Sequence, residues 1–264
     1  MTEQHENFPN GLEATLLIAL LFVVEMFVAS FLLSLDTFSS VHPMDLSGLI
    51  AVASNGVLFC FLLTYKKLSY ATLFHASRQS AGATLAVLAI PIVLLVPGLM
   101  LIAGAFNSIV ISLLPMAPED RALFDAMMAS DTLAVLFGCI AAPLLEEMLF
   151  RGVILRSFLQ QYSRTAAILG SAALFGLAHL NVYQLATAFA LGIVAGWLYE
   201  RTRSLWPCIL LHATYNGFVT YSYGLFATEG EDFSGGFYLG AFALAIGSGL
   251  FLLRVLMPAS VRAR

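Results

Sequence analysis

Residues 131–158 read DTLAVLFGCIAAPLLEEMLFRGVILRSF, an apolar run that carries Glu146, Glu147 and Arg151 within six residues. About 20 apolar residues in a helix span a bilayer core, and each charge placed there costs about 2.5–3.5 kcal/mol on insertion scales. Three such charges need a reason. Composition gives the setting: of 264 residues 60% are apolar and 11% charged, against roughly 45–50% and 25% in a soluble protein. An ordinary soluble domain is thereby excluded, and the expectation is an all-α, polytopic membrane bundle with little extramembrane mass.

Apolar runs bounded by polar or turn residues fall at 12–35, 46–65, 82–114, 131–158, 165–181, 183–200, 205–226 and 237–257, which predicts about eight transmembrane helices. The third run would measure about 50 Å as one helix, and Pro91 and Pro97 supply kinks. The positive-inside rule chooses between one crossing and two. With one crossing and cytoplasmic N- and C-termini, the inner loops collect Lys66, Lys67, Arg78, Arg156, Arg164, Arg201, Arg203, Arg254, Arg262 and Arg264, and the outer ones only Arg121. Two crossings would put most arginines outside, so the run is read as one.

The remaining features fit one membrane domain over residues 1–264, with a motif-bearing core at about 131–222. There is no internal repeat or linker. Net charge is −4 without a basic cluster, which argues against nucleic acid as a partner. Cys60, Cys139 and Cys208 lie in apolar runs without metal or redox spacing and read as small buried apolar residues. The polar stretch Met1 to Asn10 lacks the basic region of a cleaved signal, so the first run reads as a retained span. Pro118-Glu119-Asp120 starts a helix whose Leu123, Phe124, Met127 and Met128 share a face, predicting an outer interfacial helix. Ala188, Gly192 and Gly196 predict close packing of the sixth span.

Few ionisable groups remain inside the membrane: Glu25, the cluster Glu146, Glu147 and Arg151, and the titratable His179 and His212. Glu147 and Arg151, four apart with the acid first, are oriented to pair. Glu146, about 100° round the helix, then points elsewhere, and Pro143 just upstream opens the backbone. Phe175 and His179 share one helical face, as do His212 and Asn216. Three helices thus converge a carboxylate, two imidazoles and an amide. Peptide hydrolysis needs that inventory: a base for water, a donor for the oxyanion and an acid for the leaving amine. Counted from the cytoplasmic arginines, Glu146 and His212 lie at about 15 and 13 Å, and His179 at about 22 Å, so the fifth helix must tilt or begin lower. Glu25 has no partner in the sequence and stays unassigned.

The motifs Glu146-Glu147-x-x-x-Arg151, Phe175-x-x-x-His179 and His212-x-x-x-Asn216, in that order and each on a helix, resemble the CAAX-processing and bacteriocin-processing (CPBP, or Abi) family of membrane proteases, which includes the type II CAAX prenyl endopeptidases. The resemblance implies an intramembrane endopeptidase in which Glu146 activates water with help from His179, while His212 and Asn216 stabilise the oxyanion. Glu147, Arg151 and Phe175 would support the site. It also implies a peptide or lipidated-protein substrate, for prenyl-processing members cut just after a lipidated cysteine, in a multi-pass protein among membrane lipids, at the cell membrane in a prokaryote. Glu146, His179 and His212 are equally a zinc inventory. Asn216, a natural oxyanion donor and a rare zinc ligand, favours the metal-free reading with no cofactor. Two other functions compete: a proton-coupled transporter, since intramembrane Glu and His also carry protons, and a non-proteolytic immunity or scaffold member of the same family.

Overall fold

The computed structural model describes residues 7–38, 41, 43–128, 135–229 and 235–257. Residues 1–6, Arg262 and Arg264 lie outside the described residues, as do the side chains of Leu123, Met127 and Met128.

Every apolar run forms a helix, and among the described residues there is no strand. The helices are α1 (Gly11–Leu33), α2 (Pro43–Lys66), the short α3 (Tyr70–Phe74), α4 (Ala81–Leu113), α5 (Pro118–Met128), α6 (135–161), α7 (Arg164–Ala178), α8 (Val182–Thr202), α9 (Trp206–Glu229) and α10 (Gly235–Leu256). Polar side chains start several of them. Asn10 and Glu13 form a capping box on α1, and Ser80, Ser163 and Asn181 each accept a backbone N–H in the first turn of α4, α7 and α8.

Length and composition make α1, α2, α4, α8 and α10 five helices able to cross a membrane, and the protein is a multi-pass membrane protein. The three that fall short, α6, α7 and α9, carry the motifs. Helix α6 is divided into short segments and carries Glu146, Glu147 and Arg151, α7 has only 15 residues, and α9 is interrupted by polar side chains such as His212 and Asn216.

Solvent-style burial is inverted at the surface. Phe27 is 73% exposed and Leu239 74%, while Glu147 and Arg151 are fully buried, the pattern expected when the outer faces meet lipid rather than water. Cys208 is buried as expected, but Cys60 is exposed on α2, which corrects the reading of all three cysteines as buried. An apolar thiol costs nothing against lipid tails.

The third run is one continuous helix, α4, through both Pro91 and Pro97. It stands against α8, α9 and α10. Gly98 permits the last of these contacts: a Cβ there would lie 2.3 Å from that of Ala245. A helix, α5, forms where Pro118-Glu119-Asp120 predicts its start, and it is held to α9 by a bond from the Tyr223 hydroxyl to Asp125. On the opposite side, the segment around α3 caps the bundle, with Leu205 N–H on Phe74 O (2.8 Å) and Ala76 N–H on Arg203 O (2.9 Å).

Candidate active site

Helix α6 is not uniform. Two π-helical segments, Phe137–Ala141 and Met148–Leu155, flank the short α segment Ala142–Glu147 that carries both glutamates. Wide turns of this kind re-aim side chains and recur at functional sites. Pro143 explains the first. Ala142 N–H reaches back five residues to Phe137 O, and the same step from residue 143 would serve Gly138 O, but proline has no N–H to give. Asn216 Nδ2, from α9, donates to that carbonyl at 2.8 Å. One amide hydrogen of Asn216 is thereby committed, and the second is left for the cavity.

Beneath the cavity lies a buried charge network. Oε1 of Glu147 accepts from Arg151 Nη1 at 2.8 Å and lies 2.9 Å from Nδ1 of His212. The guanidinium also donates through Nη2 to Gly192 O at 3.2 Å and stacks over the Phe175 ring, 4.5 Å from its centroid. Gly192 is what lets α8 approach, since a Cβ there would stand 3.0 Å from Ala172 and 3.2 Å from Arg151 Nη2. The same ring meets His179 and His212 edge-on, with centroids 5.1 and 5.5 Å apart. Phe175 is thus the spacer that fixes both imidazoles and the cation.

The predicted candidates come together. Glu146, His179, His212 and Asn216 all line one cavity of about 660 Å³, with Phe175 in its wall. Glu146 is about one-third exposed, and its Oε2 lies 3.8 Å from His212 Nε2. That oxygen accepts no hydrogen bond among the described residues. His179 reaches the same cavity because α7 ends there: His179 caps the helix, and Leu180 follows in the left-handed region at φ 51°. Its Nδ1 lies 2.9 Å from Phe175 O. A carbonyl only accepts, so Nδ1 carries a proton, and in the neutral ring the lone pair is on Nε2.

No group of three or more His, Cys, Asp and Glu is placed to share a metal among the described residues. Glu25 lines a second cavity, of about 200 Å³, that also touches Glu146 and His179. Sequence reading missed the carbonyls of Gly138 and Gly192. The signals were a proline that strips a donor and a buried guanidinium with more N–H groups than one carboxylate can take.

Comparison with known proteins finds matches over the part of the chain that carries this site. Residues 128–218 match the family model described as "Type II CAAX prenyl endopeptidase Rce1-like". Over 118 residues, 45% of this chain and 48% of the relative, the sequence is 30% identical to the "Putative membrane peptidase YdiL" of Bacillus subtilis (strain 168). The chain thus matches about half the length of that curated relative. No solved structure matches. Along residues 128–218 the chain is thus similar to the membrane proteases that its three motifs resemble.

Proposed function

We propose that the protein is an intramembrane endopeptidase that hydrolyses a peptide bond by glutamate-activated water, in a membrane-associated substrate of the prenylated CAAX type. The observation that carries the reading is the pairing of Glu146 Oε2 and His212 Nε2, 3.8 Å apart at the wall of a cavity that His179 and Asn216 also line. A water can lie at ordinary hydrogen-bond length, about 2.8 Å, from both atoms at once.

In this reading Glu146 takes a proton from that water, assisted by the Nε2 lone pair of His179, as the oxygen attacks the scissile carbonyl carbon. The oxyanion accepts from the second Asn216 amide hydrogen and from His212 Nε2–H. That second donor requires the imidazolium form of His212, with Nδ1–H given to Glu147, and the carboxylates of Glu146 and Glu147 together balance it and Arg151. Glu146 then passes its proton to the amide nitrogen, the C–N bond breaks, and a carboxylic acid and an amine leave. Charge that develops in a water-poor site is stabilised more strongly than in bulk. The reaction needs no metal, although Glu146, His179 and His212 remain the zinc ligand set against which it is tested. The same reading has α1, α2, α4 and α6–α10 as eight spans of one domain, with both termini cytoplasmic and the site open to that side.

The test is cleavage of a peptide carrying a prenylated cysteine by purified protein in lipid nanodiscs. Glu146→Gln and His179→Ala are each expected to abolish it while leaving the protein folded. Chelator treatment is expected to change nothing. Retained turnover in either variant overturns the mechanism, and activity lost to chelator and restored by zinc overturns its metal-free form. Proton flux in liposomes, lost on the same substitutions, would instead favour a transporter, and a cellular phenotype untouched by Glu146→Gln a scaffold.

A further inference from the structure

Glu146 and His179 stand in the wall between two cavities. The larger is the one described above; the smaller lies on the α1 side and shares Glu146, His179, Phe175 and Ala142 with it. The walls of the smaller are mostly apolar, with Ile18, Leu21 and Phe22 from α1, but two further polar residues face it: Glu25 of α1 and Asn55 of α2. Asn55 is buried and donates to Ala51 O at 2.9 Å. Glu25 makes no hydrogen bond or ion pair among the described residues. A carboxyl group in the bilayer without a protein partner is costly, and water supplies the missing partner. About 200 Å³ is room for several molecules, each of which needs two to four polar neighbours.

Hydrolysis consumes one water per turnover, and a lipidated peptide seated in the larger cavity would cover Glu146 from that side. We propose that the smaller cavity is the chamber from which water reaches Glu146 during turnover, and that Glu25 is the positioning residue that keeps it hydrated. The proposal rests on the endopeptidase reading. Glu25 touches neither substrate nor reacting atoms; it acts through the water it holds beside Glu146 and His179.

Two measurements test it. In the peptide assay, Glu25→Leu is expected to lower kcat at least tenfold with KM changed less than twofold, while Glu25→Gln, uncharged but still able to hold water, keeps kcat within threefold of the parent. Unchanged kcat in Glu25→Leu, an equal loss in the two variants, or a loss confined to KM each overturns it. The second measurement needs no activity. Ala178 lines the smaller cavity and not the larger, so Ala178→Cys, in a protein whose three native cysteines are replaced, reports water there through its rate of reaction with a small water-soluble methanethiosulfonate. That rate is expected to fall at least tenfold when Glu25→Leu is added, and an unchanged rate overturns the chamber. If the parent protein cleaves nothing, the endopeptidase reading fails, and the labelling result alone decides whether Glu25 hydrates the cavity.

Discussion

Nδ1 of His212 lies 2.9 Å from Oε1 of Glu147, the same oxygen that Arg151 Nη1 reaches at 2.8 Å. One carboxylate oxygen therefore both neutralises a buried cation and fixes the tautomer and ring orientation of a histidine in the cavity wall. The two tasks can be separated. Glu147→Ala leaves Arg151 buried without its counter-ion and is expected to destabilise the protein by about 3–5 kcal/mol. The double variant Glu147→Leu with Arg151→Met removes the buried charges together and should recover most of that loss. It restores nothing to His212. The expected outcome is a protein with near-parental thermal unfolding in detergent and no turnover; recovered activity would show that the network is structural only.

Glu146 behaves in the opposite way. Because its Oε2 accepts no hydrogen bond among the described residues, the near-isosteric Glu146→Gln breaks no hydrogen bond of that oxygen and leaves its volume almost unchanged. Stability should stay within about 0.5 kcal/mol of the parent, while turnover falls by at least the 10²–10⁴-fold typical of losing a general base. Thermal unfolding and peptide cleavage on the same preparation check both halves, and a large stability change would mean that the carboxylate is a structural anchor.

Asn216 and Pro143 form a functional couple. The proline leaves Gly138 O without a backbone donor, and the amide takes its place at 2.8 Å. Pro143→Ala returns an N–H to the helix, which competes for that carbonyl and unfastens Asn216. The variant is expected to be at least as stable as the parent, since proline is a poor interior helix residue, yet to lose kcat towards the value of Asn216→Ala. Removing one oxyanion donor outright costs about 10²–10³-fold. Parental kcat in Pro143→Ala would sever the link.

Most of the helices, and the convergence of Glu146, His179, His212 and Asn216 on one cavity, were legible in the sequence, for a shared reason. Apolar length sets a membrane helix, and charge is so scarce in this chain that Glu146, Glu147 and Arg151 stood out. The i, i+4 relation also foretold the Glu147–Arg151 pair and the shared faces of Phe175 with His179 and of His212 with Asn216. What stayed hidden were relations between helices. Nothing in the spacing of Glu147 and His212, 65 residues apart, says that they meet. Backbone partners carry no residue code, so Gly192 O and Gly138 O were invisible, and Gly192 was read only as a packing residue. Glu25 had to await a cavity formed by α1, α2, α6 and α7 together.

Gly192 offers a graded test of how tightly α8 is held to the network. A methyl at that position would meet Ala172 at 3.0 Å and Arg151 Nη2 at 3.2 Å, contacts that demand shifts of a few tenths of an ångström. Gly192→Ala is expected to cost about 1–3 kcal/mol, the range for overpacking a tight interior, with kcat lowered because the guanidinium moves with its carboxylate. Gly192→Val should be worse on both counts. Equal stability across glycine, alanine and valine would mean that α7 and α8 are free to separate.

Leu180 tests whether local strain serves the site. It holds φ at 51°, a conformation that costs a non-glycine residue about 1–2 kcal/mol, and its side chain is exposed, so packing does not explain its presence. Its position does: the left-handed residue ends α7 at His179 and allows Asn181 to start α8. Leu180→Gly removes the steric penalty and is expected to raise stability by up to about 1 kcal/mol, offset in part by the greater chain entropy of glycine. The same freedom loosens the turn that aims His179 at the cavity, so kcat should fall several-fold while KM holds. A more stable variant with unchanged kcat would show that the turn merely reverses the chain, and that His179 is held by Phe175 O alone.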